Sequence, residues 1–145
     1  TQLYDTSFTV TRNTYDKLIS LYVFQEHKCY QKIRKKYKVD FYEEILNAWN
    51  KGITYYLSYA IDNNFNGVKS QLEYIKGVEH IFSTENLLHD FQKIQTWSNC
   101  FVPLQKNVNV GKYNKNDFMT SEYIKFIEKN FEDEIEYFNY KPNLG

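Results

Sequence analysis

Arginine is scarce in this chain: of eighteen cationic side chains sixteen are lysine, and only Arg12 and Arg34 carry a guanidinium. The planar guanidinium fork binds phosphate bidentately where an ammonium binds as a point charge, so Arg12 is a candidate anion ligand. Ser20 follows eight residues later and adds a hydroxyl. Arg12 falls where a strand should pass into a helix, and such a turn presents free backbone N–H groups and the positive end of the helix dipole. An Arg fork and a hydroxyl converging there would form a phosphate cradle. Taken singly, each also fits a plainer role: a surface cation, and a mid-helix hydroxyl bonded to its own backbone. His27, His80 and His89 are bases by type and are read as structural. Cys29 and Cys100 have no metal-ligand spacing and make no disulfide framework, so no metal site is expected and both are read as free thiols in a reducing, cytoplasmic compartment.

The elements that position these residues follow from periodicity. The run Ser7-Phe8-Thr9-Val10-Thr11 is β-branched and alternating, predicting a strand over 7–11. Asn13 is a good N-cap, and Tyr15, Leu18, Ile19, Tyr22 and Val23 recur at helical spacing, predicting a helix that continues through Tyr30 and Ile33. Its end carries Lys28, Lys32, Arg34, Lys35, Lys36 and Lys38, which suit the helix dipole and read as a solvated terminus. Asp40 and Glu43 open a second helix with Phe41, Ile45 and Trp49 inward, stopping near Gly52. The Tyr-rich stretch from Ile53 to Ile61 fits neither period cleanly, and Asp62 to Gly67 is a turn by composition. Gln71 to Lys76 is a short helix or a strand lead-in, ended by Gly77. Val78 to Phe82 alternates as a second strand, after which Ser83 or Thr84 caps a helix carrying Leu87, Leu88, Phe91 and Ile94. Residues 99–116, with Pro103, Gly111 and five asparagines, predict a long loop. Thr120 then caps one closing helix with the stripe Ile124, Ile127, Phe131, Ile135 and Phe138, its acidic residues Glu132, Asp133, Glu134 and Glu136 forming a solvated face.

Strands separated by helices imply an α/β fold, mostly helical with a small parallel sheet, whose ligands bind beyond the carboxyl ends of the strands. At 145 residues the chain is read as a single domain over 1–145. Eighteen acidic residues balance eighteen basic ones, which removes the overall footprint of a nucleic-acid or membrane-surface binder. No apolar run approaches the roughly 18 residues of a spanning helix.

Phe8-Thr9-Val10-Thr11-Arg12-Asn13-Thr14-Tyr15-Asp16-Lys17-Leu18-Ile19-Ser20 resembles the 3′-phosphate motif of sulfotransferases that use 3′-phosphoadenosine 5′-phosphosulfate (PAPS), in their carbohydrate-type branch. There a strand ends in Arg-Asn-Pro-Tyr-Asp-Arg and a Ser follows the first Arg by eight residues. Thr14 stands in place of the Pro and Lys17 in place of the second Arg. Val78 to Phe91, with Glu85-Asn86-Leu87, resembles the family's next strand and helix. Val102 to Lys112 resembles its Leu-Pro-His-x-Asn-Val-Ser loop, and Phe131 to Tyr140 its terminal helix. Residues 38–68 have no counterpart.

The resemblance implies a P-loop-NTPase-like sulfotransferase fold, truncated to its C-terminal part, with Arg12 and Ser20 as ligands of the donor's 3′-phosphate. It also implies that Asn109 and Lys112 approach the 3′ side of the nucleotide. The reaction would move a sulfuryl group from PAPS to an acceptor hydroxyl, carbohydrate by family analogy. In the family the 5′-phosphosulfate loop and the catalytic base both precede the Arg motif. The eleven residues from Thr1 to Thr11 hold no Gly, Lys or His, so the catalytic residues are expected upstream of Thr1. The chain alone is therefore expected to bind PAPS or its product, adenosine 3′,5′-bisphosphate (PAP), without turnover. Loss of a neighbouring strand would leave an open sheet edge and favour a homo-oligomer. Two other readings stay open: a non-catalytic nucleotide-binding module, and a helical interaction module using the 19% aromatic content.

Overall fold

A computed structural model describes residues 7–98 and 113–144 of the chain. The described residues contain six α-helices and a two-stranded parallel sheet, an α/β class dominated by helix. They divide into two compact units, residues 7–13 with 71–98 and residues 14–70 with 113–144.

The first unit is built on the sheet. Strand β1, Phe8–Thr11, pairs in parallel with β2, His80–Ser83, in the register Phe8↔His80 through Thr11↔Ser83. Both strands fall where alternation predicts them. Period-two geometry puts Phe8, Val10, His80 and Phe82 on one face. There Trp97, from the later helix Leu87–Ser98, lies 4.4 Å from the His80 ring and 5.8 Å from Phe82, while Phe8 reaches Phe82 at 5.6 Å. Phe82 is buried, but Phe8 and Val10 remain 44% and 41% exposed. Parallel sheets are ordinarily covered on both faces, whereas among the described residues Phe8, Val10 and, on the other face, Ile81 stay more than 40% exposed.

Two expectations fail in this unit. Leu88 does not face a core; it is 70% exposed, and the buried position of its helix is Asp90, whose carboxylate accepts from the Ser83 N–H. Neither Ser83 nor Thr84 caps that helix. A 3-10 turn, Thr84–Asn86, comes first, without a side-chain cap from Ser83, and the Thr84 hydroxyl is spent on the Thr11 carbonyl instead.

The second unit is helical. Helix α1 spans Thr14–Arg34, α2 Val39–Asn50 and α3 Ile53–Asp62, so the Tyr-rich stretch is a helix with Tyr56, Leu57 and Ala60 buried. The α1–α2 connection passes through left-handed backbone at Lys36 and Lys38. Tyr22 and Trp49 then pin the two helices: the Tyr22 hydroxyl donates to the Trp49 carbonyl at 2.9 Å, the Trp49 indole donates to the Tyr22 carbonyl at 2.8 Å, and the rings stack. Phe41 is not inward; it is 43% exposed and packs on Tyr42 and Phe65, while Ile45 and Ala48 fill the core. Gly52 joins α2 to α3 at φ 104°, a left-handed value that its missing side chain permits.

In chain order the helix of the first unit, Leu87–Ser98, is α4, and the second unit closes with α5 and α6. Thr120 caps α5, Ser121–Asn130, as expected, its hydroxyl accepting from the Tyr123 N–H. The single closing helix is not observed. Phe131 leaves helical backbone at φ −129°, ψ 28°, and α6, Glu132–Phe138, starts afresh. The acidic residues are consequently not one solvated face, because Glu134 is only 1% exposed and accepts a 2.8 Å hydrogen bond from the Thr14 hydroxyl.

Candidate functional site

The turn that carries Arg12 is held by side chains from distant parts of the first unit. Arg12 is the first residue past β1, where the ladder to β2 has ended. Its N–H donates to Gln71 Oε1 at 2.8 Å, and its carbonyl accepts from Gln71 Nε2 at 2.8 Å. One carboxamide thus does for Arg12 what a facing peptide does in an antiparallel pair. On either side, the Thr11 carbonyl accepts from the Thr84 hydroxyl at 3.1 Å, and the Asn13 N–H donates to Glu85 Oε1 at 2.8 Å. Gln71 is 5% exposed and Thr11 is 3% exposed, while Thr84 and Glu85 reach the turn from the exposed side.

This arrangement corrects the expected cradle of free backbone N–H groups. The N–H groups of Arg12 and Asn13 are both taken, by Gln71 and Glu85. The physical reason is that a buried donor at a strand end must find an acceptor, and side chains supply it when no strand does. The turn also carries the Arg12 side chain, half-buried and engaged by no ion pair among the described residues.

In the second unit, Ser20 stands two turns into α1 and is half-buried. The start of α1 is polar and enclosed. Thr14 is fully buried on Glu134, and Asp16 receives Lys115 at 3.5 Å. Lys17 donates to the Lys69 carbonyl, and burial holds its ammonium below the usual lysine range, partly offset by the charge of Glu134. Asn109 and Lys112 lie outside the described residues. So does the segment from Thr1 to Thr6, and with it the chain start beyond which the catalytic residues are expected.

The histidines are dispersed. His27 bonds Gln31 on the exposed side of α1, His80 stacks on Trp97, and His89 is exposed on α4. The Cys29 thiol is buried, which pushes it up from its ordinary value, and Gln25 donates to its sulfur. Among the described residues no group of three or more His, Cys, Asp and Glu side chains could hold a metal ion, and no helix is long and apolar enough to cross a membrane.

Gln71, Glu85 and Glu134 are the residues that sequence reasoning missed as functional or structural anchors. Gln71 acts on Arg12 from 59 positions away, which leaves no local pattern. No family model, curated protein or solved structure matches the chain.

Proposed function

We propose that the chain is the C-terminal part of a PAPS-dependent sulfotransferase domain with a P-loop-NTPase-like fold, in which Arg12 and Ser20 bind the 3′-phosphate of the nucleotide. The observation that carries the reading is the clamped turn at Arg12. A strand ends, an Arg with a fixed backbone follows, and a long helix begins two residues later with a Ser in its second turn. That order supports the resemblance of Phe8 to Ser20 to the family motif. Asn109 and Lys112 belong to the proposal as contacts on the 3′ side of the nucleotide.

The role proposed is binding. Sulfuryl transfer needs a base for the acceptor proton and cations around the leaving oxygens. The family places both upstream of the segments this chain resembles, which in this numbering is upstream of Thr1. Arg12 and Ser20 would hold and orient the donor by its far phosphate, with the acceptor hydroxyl on a carbohydrate and the protein in the cytoplasm.

Thermal melting with PAP is the test. A specific ligand stabilises by about 2.7 kcal/mol at a hundred times its dissociation constant, which is a readily measured rise in Tm. Arg12→Ala should abolish the rise and Ser20→Ala should reduce it. No rise with the unaltered protein at millimolar PAP would sink the reading.

A second reading draws on the exposed side chains of the sheet. With Phe8, Val10 and Ile81 each more than 40% exposed, the first unit is suited to a non-catalytic nucleotide-binding or assembly module that keeps the 3′-phosphate half-site and packs these side chains against another copy. PAP binding is expected of both readings, so sedimentation tests the assembly: an oligomer supports the module, and a strict monomer with and without PAP counts against it.

A further inference from the structure

We infer that Gln71 is the positioning residue of the phosphate site, holding Arg12 by its peptide so that the guanidinium is presented from a fixed backbone. The inference rests on the nucleotide reading of Arg12 and adds to it the residue on which that binding depends. Both polar groups of the Arg12 peptide unit are tied to one buried side chain, at 2.8 Å each. Only a carboxamide can do this, because it pairs a donor with an acceptor on one planar group. Asp and Glu lack the donor at neutral pH, and Leu lacks both.

The neighbours of Gln71 remove the alternatives. Thr84 holds the Thr11 carbonyl and Glu85 holds the Asn13 N–H, so the residues flanking Arg12 are fixed independently and Gln71 governs Arg12 itself. With the N–H groups of Arg12 and Asn13 consumed, those two peptides are withdrawn from phosphate binding and residue 12 contributes through its guanidinium. Bidentate recognition by a planar fork is geometrically strict, so freedom at the Arg12 backbone becomes lost affinity. Gln71 touches no ligand in this scheme and acts through Arg12.

The experiment is PAP affinity of Gln71→Leu and Gln71→Glu in the full chain, each compared with the unaltered protein at the same pH. Gln71→Leu should weaken binding by roughly tenfold or more, as expected for two lost hydrogen bonds. Gln71→Glu is the more telling variant, and it keeps a second readout should the Leu variant fail to fold. As a carboxylate it can accept from the Arg12 N–H but opposes the Arg12 carbonyl. Once protonated, its hydroxyl replaces the missing donor. Charged groups on the clamp and its own segment include Arg12, Glu85, Lys69, Glu73 and Lys76. Its affinity relative to the unaltered protein should therefore be low at neutral pH and recover as pH falls toward the ordinary carboxyl range, about 4 to 5. Because protonation restores stability as well, the affinities are compared only at pH values where melting without PAP shows both proteins fully folded. A ratio that stays flat with pH, or a folded Gln71→Leu protein that binds PAP normally, would overturn the assignment. Failure of the unaltered protein to bind PAP would overturn both this inference and the reading beneath it, and is told apart by occurring without any substitution.

Discussion

The Thr14 hydroxyl donates a 2.8 Å hydrogen bond to Glu134 Oε2, joining the first residue of α1 to α6 across 120 positions of chain, and both residues are essentially solvent-free. A buried carboxylate is tolerated only with partners, and here Thr14 supplies a donor while the ammonium of Lys17 contributes favourable charge. Glu134→Ala removes that acceptor and leaves the Thr14 hydroxyl unpaired. It should destabilise the protein by about 1–3 kcal/mol, whereas Glu134→Gln, which can still accept, should cost less. Urea unfolding of the two variants checks the order, and equal losses would show that the space filled by the side chain matters more than the bond.

Tyr123 is one of several buried tyrosines expected to lower stability at alkaline pH. Its hydroxyl donates to the Tyr15 carbonyl at 2.6 Å, and burial, with the nearby charge of Asp16, pushes its ionisation well above the ordinary tyrosine value. Tyr56 is raised by burial as well. A raised folded-state value means that the unfolded chain loses its protons first. The stability is therefore complete below about pH 10 and falls as pH rises above it. Tyr123→Phe should cost about 1 kcal/mol at neutral pH through the lost bond, yet flatten the decline above pH 10. Melting curves from neutral to alkaline pH would reveal it, and an unchanged slope would assign the decline to Tyr56 or other groups.

Elements were legible in the sequence where one periodicity dominated. Period two at Phe8-Thr9-Val10-Thr11 and around Ile81, and the 3.6 period from Tyr15 to Val23, predicted β1, β2 and α1 within a residue or two. The stretch from Ile53 to Asp62 was not legible, because Tyr suits strand and helix alike and its burial on α1 and α2 decides the outcome. Glu134 was hidden for another reason. Four acids in five positions look like one solvated face, and the break at Phe131 that turns one of them inward is a tertiary choice. At the candidate site, Arg12 was singled out by arginine scarcity and the motif resemblance, while Gln71 and Glu85, 59 and 72 positions from their partners, could be seen only in the fold.

Tyr22 and Trp49 should behave as one unit. Each donates to the other's carbonyl and their rings stack at 5.0 Å, so removing either breaks a shared arrangement. Tyr22→Phe and Trp49→Phe together should cost less than the sum of the separate changes. The coupling should fall within the 0.5–3 kcal/mol usual for contacting residues, about 1 kcal/mol at least. A double-mutant cycle with zero coupling would mean that the α1–α2 packing is carried by Ile45 and its neighbours alone.

Gly52→Ala should destabilise α2–α3 through the backbone and not through crowding. Nothing lies within 4 Å of where its Cβ would sit, but its φ of 104° with ψ 167° belongs to a region that is essentially glycine's own. The cost should be about 1–3 kcal/mol. Chemical denaturation measures it. A variant as stable as the unaltered protein would show that the hinge can relax to an ordinary conformation.

Arg12→Lys distinguishes a guanidinium site from a merely cationic one. If the turn met phosphate through backbone N–H groups as well, a point charge at residue 12 would keep most of the affinity. Because Gln71 and Glu85 occupy the N–H groups of Arg12 and Asn13, residue 12 can contribute only through its side chain, and there the planar fork supplies the geometry. We therefore expect Arg12→Lys to weaken PAP binding by roughly tenfold or more, about 1.4 kcal/mol, despite the retained charge. Raising the salt concentration should weaken what remains, since a solvated ammonium is readily screened. Titration calorimetry at two ionic strengths reads both effects. Full affinity in the lysine variant would show that charge, and not the shape of the fork, selects the ligand at residue 12.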